Sequence, residues 1–221
     1  MSFDGFSEEG LTLLSALGEG DRAFFHSHKK RVAVEVMDPA KALVDDMAEA
    51  LRETISTGIV GQAKVNGSIS PLNNDLRFNP ERSPYKDHLL LRWWEGQDKK
   101  TAPTLWLRVS RGGVGFATGR TLSTAVWREA VAGPLGESLA EHLARLGARH
   151  DVDVAGAELK RVPKPYTPDH PRSDLLRHKQ MFQVRWSEPA PAVMQSAGFV
   201  AWCARRLEGC ADIHRWLGLN L

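Results

Sequence analysis

At 221 residues, with 42% hydrophobic and 25% charged side chains, the chain can bury a core without disulfides or metal, and it reads as one ordinary globular domain, residues 1–221. A formal net charge of +2 falls short of the strongly basic signature of a dedicated nucleic-acid binder, and no stretch approaches the roughly 18 apolar residues of a membrane span. With only Cys203 and Cys210, too far apart along a helical pattern to be bridged, and no secretion-leader pattern at the start, free thiols and a cytoplasmic setting are expected.

Ser7 followed by Glu8 and Glu9 has the form of a helix cap, and Leu11, Leu14 and Leu17 keep helical spacing up to Gly18 and Gly20. Asp21 is placed to cap a second helix carrying Phe24, Phe25, His28 and Val32. Asp38 and Pro39 suit the cap and first position of a third, in which Leu43, Met47 and Leu51 form one stripe. From residue 59 helical periodicity ends, and Gly61, Gly67 and Pro71 separate short β-branched stretches. Leu89, Leu91, Trp93 and Trp94 precede a polar turn, and Leu105, Leu107 and Val109 then alternate with Trp106, Arg108 and Ser110. Gly112-Gly113 is a tight-turn signal, so residues 87–118 predict an antiparallel meander.

Helical spacing returns over residues 122–131 and, after Gly133-Pro134, over 135–146. Short strands are expected near 151–154 and 158–162, and Pro163, Pro165, Pro168 and Pro171 then forbid regular structure. Residues 173–181 predict a short helix, and Phe199, Cys203, Leu207, Cys210, Ile213 and Leu217 share a face of a last one. The fold class implied is α+β: an antiparallel sheet of about four to six strands, covered mainly on one side by the N-terminal and C-terminal helices.

The segment with the composition of a site is residues 74–86, which places Asp75, Arg77, Arg82, Tyr85 and Lys86 between prolines just before a strand. Guanidinium and ammonium groups bind carboxylate or phosphate best, so Arg77 and Lys86 are the candidate anion contacts, with Asp75 orienting Arg77 and Tyr85 as wall or proton donor. The bland alternative is a loop in which Asp75 bonds its own backbone and Arg77 pairs with it. Lys160 and Arg161, with Lys164 and Tyr166, form a second basic cluster whose simplest reading is a solvated loop; beside Arg77 and Lys86 they would instead complete a shared anion pocket.

The remaining chemistry-bearing residues favour structural roles. Asp169 with His170 reads as a turn and His178 as a surface histidine on the short helix, although both imidazoles suit proton transfer at neutral pH. His150, Asp151 and Asp153 lack a second ligand cluster, so no metal is expected, and Cys203 and Cys210 suit burial. Neither common phosphate-cradling glycine loop occurs, so no cofactor is expected either, and Trp93, Trp94 and Trp106 are read as packing.

Several motifs in order give the chain a wider resemblance. These are Phe6-Ser7 at the opening, Phe24-Phe25 followed by basic residues, Asp75-Leu76-Arg77-Phe78 with Pro84-Tyr85-Lys86, Leu159-Lys160-Arg161-Val162-Pro163, Asp169-His170-Pro171, and Leu176-Arg177-His178-Lys179. Together they resemble the bacterial domain-of-unknown-function family 2461 over nearly the whole chain. Relatives in that family usually carry additional positive charge where this chain has Pro71 and Asn74, and Arg82 stands where they have lysine. The resemblance implies no reaction. Two readings therefore stand side by side: a protein that binds, and as an enzyme would transform, a small phosphorylated or carboxylated molecule around Asp75, Arg77 and Lys86; or a non-catalytic protein- or nucleic-acid-binding module using a basic, aromatic surface. No membrane partner is expected.

Overall fold

The computed structural model describes residues 2–77 and 79–221; Phe78 of the Asp-Leu-Arg-Phe motif lies outside them. The first two helices start where capping side chains place them. Ser7 Oγ accepts the Gly10 N–H at 3.0 Å to open α1 (Glu8–Leu17), and Asp21 Oδ1 accepts the Phe24 N–H at 2.8 Å to open α2 (Arg22–Arg31). The break expected at Asp38 does not form. The chain continues from α2 through π-helical turns at Val32–Met37 into α3 (Asp38–Thr54). Pro39 supplies a physical reason, because it has no N–H for the Glu35 carbonyl four residues earlier, and a widened turn accommodates the missing bond. Gly10 lies against that same carbonyl so closely that a Cβ would collide with it. Asp38, freed from capping, accepts the Lys41 ammonium at 2.8 Å.

Six strands form one antiparallel sheet: β1 (Ile59–Val60), β2 (His88–Glu95), β3 (Thr104–Ser110), β4 (Gly113–Thr121), β5 (Asp153–Ala157) and β6 (His178–Pro189), in the order β1-β2-β3-β4-β6-β5. The predicted meander is β2 to β4. Leu89, Leu91 and Trp93 on β2, Leu105, Leu107 and Val109 on β3, and Val114, Phe116 and Thr118 on β4 are fully buried, whereas Leu90, Arg92, Trp106 and Arg108 are half-exposed. Helices cover the buried face. Trp93 Nε1 donates to the Val44 carbonyl of α3 at 3.0 Å, and His214 of α8 (Ala211–Asn220) lies 3.2 Å from Thr118 Oγ1. The α+β class, an antiparallel sheet with helices from both ends of the chain packed on its strands, is therefore the observed architecture.

The later half departs from the expectations in four places. The strand expected at 158–162 is not formed, and the preceding one shifts to Asp153–Ala157, with a bulge at Gly156. Gly156 has φ of 104°, and a Cβ there would run into the Met181 carbonyl, so glycine suits both the backbone angle and the close approach. The helix expected over 173–181 stops after one turn, α6 (Ser173–Leu176), and the chain becomes β6, a twelve-residue strand in which Phe182, Val184 and Trp186 are buried. The segment after residue 121 enters α4 (Thr124–Ala132) later than expected, because Leu122 first donates its N–H to the Gln180 carbonyl at 2.8 Å. The last helix divides into α7 (Gly198–Glu208) and α8, with Gly209 and Cys210 between them.

Between α4 and α6, α5 (Pro134–Gly147) starts on a proline at its first turn, and the proline-rich strap runs over residues 158–172. Arg172 ties the strap down by donating to the Val131, Ala132 and Gly133 carbonyls at the end of α4, at 2.6, 2.8 and 3.2 Å. The described chain clusters into two compact units. One comprises the chain up to Trp93 with Trp106–Gly115 and Ser187–Arg205, the other Trp94–Leu105, Phe116–Trp186 and Arg206–Leu221. Strands β2, β3, β4 and β6 each run through the boundary. Cys203 and Cys210 are buried and form no disulfide, and burial pushes the Cys210 thiol up to about 12, which suppresses its nucleophilic form.

Candidate functional site

Residues 72–74 and 84–86 build the candidate site by pairing with each other. Asn73 and Tyr85 form an antiparallel bridge, the Asn74 N–H donates to the Pro84 carbonyl at 2.8 Å, and the Lys86 N–H donates to the Leu72 carbonyl at 2.8 Å. The Asn74 amide closes the intervening turn by donating to the Ser83 and Tyr85 carbonyls at 2.8 and 2.9 Å. Beside this ladder lies a cleft of about 370 Å³, lined by Asn74, Arg82, Ser83, Tyr85, Lys86 and Asp87 and, from the end of α1, by Ser15, Gly18 and Glu19.

Lys86 is half-buried, and its ammonium donates to the carbonyls of Asn73, at 3.1 Å, and Pro71. Three N–H groups are available, so one is left over. Burial, and after it the charge of Arg82, push this lysine below its ordinary pKa. Arg82 is exposed, and among the described residues its guanidinium has no acidic partner. Two cations thus line one cleft, and among the described residues neither is ion-paired. Tyr85 is 6% exposed and stacks on Phe25, with ring centroids 4.5 Å apart at 15°, and its hydroxyl has no hydrogen-bond partner among the described residues. Of the two acids in the wall, Asp87 accepts His88 Nδ1–H at 2.6 Å and Arg108 at 3.3 Å; the His88 bond foremost holds its carboxyl below the usual range. Glu19 is uncommitted.

Tyr85 and Lys86 line the cleft; Asp75 and Arg77 do not. Arg77 is 79% exposed and donates to both Asp75 oxygens, at 2.6 to 3.1 Å, while its backbone N–H also reaches Asp75 Oδ1 at 3.1 Å. The pairing lowers the Asp75 carboxyl and raises the Arg77 guanidinium from their ordinary values. Lys160 and Arg161 belong to the other unit, are exposed, and are likewise not in the cleft wall.

The histidines also settle. His170 Nδ1 accepts the Arg172 N–H at 3.0 Å, as a turn residue would. His178 is not a surface residue: it is 1% exposed on β6, with Nδ1 3.1 Å from the Leu175 carbonyl and Nε2 3.2 Å from that of Ala155. Desolvation outweighs those bonds and holds its pKa below the ordinary imidazole value. His150 stacks on Trp186 at 5.1 Å. Among the described residues no three His, Cys, Asp or Glu side chains group as metal ligands, and no helix is long and apolar enough to cross a membrane.

Sequence reasoning did not find Ser15 and Glu19, which reach the cleft only through the packing of a helix some sixty residues earlier in the chain. Nor did it single out Glu95, Thr118 and His214, where a buried imidazole bridges a hydroxyl at 3.2 Å and a carboxylate at 3.5 Å. The family described as "Conserved hypothetical protein (DUF2461)" matches residues 11–216. No curated protein and no solved structure matches the chain.

Proposed function

Because this chain belongs to the DUF2461 family, whose description assigns no reaction, we propose its function from the cleft: it binds a small molecule bearing a carboxylate or phosphate. The observation that carries the reading is the meeting in one concave site of Arg82 and Lys86, neither of which forms an ion pair among the described residues. Lys86, anchored by two carbonyls, is preorganised to offer its remaining N–H as a point-charge donor, and Arg82 offers a planar fork. The phenol of Tyr85 and the hydroxyls of Ser15 and Ser83 suit oxygens elsewhere on the ligand, and Glu19 suits a ligand hydroxyl or amine.

The Asp75 and Arg77 pair is the outer part of the same loop. Its guanidinium is engaged by Asp75 outside the cleft, so it serves this reading by shaping the turn rather than by touching the ligand. A thermal-shift panel of inorganic phosphate, sugar phosphates, nucleotides and dicarboxylates tests the proposal. A ligand present at a hundred times its Kd stabilises the folded chain by about 2.7 kcal/mol, and Arg82→Gln and Lys86→Gln should each abolish most of the shift. A flat panel, or a shift that survives both substitutions together, would remove the reading.

A further inference from the structure

The second basic cluster concentrates positive charge in a short stretch of chain. Elsewhere many exposed cations meet a carboxylate: Arg31 with Glu35, Lys41 with Asp38, Arg111 with Glu8, Arg185 with Asp153, and both Arg145 and Arg215 with Asp212. In residues 159–179 six lysines and arginines face only Asp169 and Asp174. Both acids are already engaged, Asp174 by Arg177 at 2.8 Å and Asp169 by the Thr167 hydroxyl, and the neighbouring Glu158 accepts the Gln180 N–H at 2.8 Å. Lys160, Arg161, Lys164 and Lys179 are exposed and, among the described residues, make no side-chain hydrogen bond or ion pair.

Backbone bonds gather these charges onto one surface. The Leu159 N–H donates to the Arg177 carbonyl at 3.1 Å, placing Lys160 and Arg161 beside the start of β6. Thr124 Oγ1 donates to the Lys179 carbonyl at 2.7 Å, and Tyr166 Oη to the Arg128 carbonyl at 3.4 Å, joining α4 to both. Among the described residues the buried Nε of Arg128 and that of Arg177 have no hydrogen-bond partner, while Arg177 spends its Nη2 on Asp174. Four prolines and the Arg172 anchor hold the strap in shape before anything binds.

We propose that this face, formed by Arg128, Lys160, Arg161, Lys164, Arg177 and Lys179, binds the phosphodiester backbone of single-stranded nucleic acid. Four of these cations, Lys160, Arg161, Lys164 and Lys179, have no matching acid and suit a polyanion, and the strap itself carries no exposed large hydrophobic side chain, the nearest being Val126 on α4 and Met181 on β6, too few to form the centre of a protein interface or to enter a bilayer. Three of the six charges sit on the strap, Arg177 in the turn after α6 and Lys179 at the start of β6, not on a helix face that could enter a duplex groove, and the half-buried ring of Tyr166 adds a stacking surface. The site shares no residue with the cleft and stands independently of it.

Fluorescence anisotropy of a labelled oligothymidylate across 50 to 200 mM salt tests the proposal. The parent should bind with log K falling linearly against log salt. The combined variant Lys160→Gln, Arg161→Gln, Lys164→Gln, Lys179→Gln, all at exposed positions, should bind at least tenfold more weakly at the low-salt end while keeping the parent's Tm. Its salt slope should be shallower by about 0.7 for each charge that met a phosphate, or nearly 3 for all four. Absence of binding by the parent at 50 mM salt overturns the idea, as does an unchanged affinity in the variant. Displacement of the oligonucleotide by polyglutamate at equal charge, or binding only to anionic vesicles, also overturns it by moving the surface to a different partner.

Discussion

Residues 71–87 and 158–179 begin from similar material, basic side chains set among prolines, and reach different ends. In the first, a short ladder folds the chain back on itself, so that Lys86 is tethered to carbonyls and half-buried in a cleft while Arg77 is neutralised by Asp75. In the second the backbone is held just as firmly, by Arg172 and by the Leu159 bond to Arg177, but the charged side chains are left facing outward. Composition alone did not separate them. What separates them is where the local acids and carbonyls go, since an exposed ion pair contributes little and a cation without a partner keeps its capacity to bind.

The anchors of the two segments should differ most. Arg172→Ala removes three charge-assisted bonds and leaves the carbonyls at the end of α4 without them, so a loss of about 3 kcal/mol in urea unfolding is expected, with the strap becoming the first region to exchange amide hydrogens. A loss near zero would mean that the prolines alone hold the strap. Asn74→Ala deletes two partly buried bonds within the cleft ladder and should cost about 2 kcal/mol by the same measurement.

The root of the strap also carries a pH dependence. Burial lowers the pKa of His178 in the folded chain, so the unfolded chain takes up the proton first as pH falls. Stability is therefore full above the ordinary imidazole value of about 6.5 and declines below it, by at most about 1.4 kcal/mol per pH unit for this one group. Unfolding measured at pH 7, 6 and 5 should show a shallower decline in His178→Gln than in the parent; identical slopes would assign the acid sensitivity to another group. The smallest effect is expected at the exposed pair: Asp75→Asn and Arg77→Gln should unfold with midpoints indistinguishable from the parent, and a clear drop in either would show that the pair supports the cleft.

Much of the fold was legible because local signals and tertiary structure agreed. Ser7 and Asp21 cap where capping chemistry places them, and the apolar alternation of β3 is the alternation of its burial. The failure at residues 178–189 is instructive. Leu176 to Met181 carries helix-forming residues, yet pairing with β5 and the burial of Phe182, Val184 and Trp186 draw the chain into a strand, and that alternation was present in the sequence to be read. At the site, Tyr85 and Lys86 were identifiable from their residue types and the pairing of Arg77 with Asp75 from their spacing, whereas the place of Arg82 in the cleft and the approach of Ser15 and Glu19 were not.

The amino-acid order by itself determined the helix caps, the apolar stripes, the meander and the concentration of positive charge in two proline-bearing segments, because each depends on neighbours a few residues apart. Only the tertiary structure decided which of those charges are neutralised, which share a cleft and which remain available. A side chain's electrostatic fate depends on the carbonyls, acids and solvent within a few ångströms, and those groups arrive from parts of the chain that local spacing does not connect.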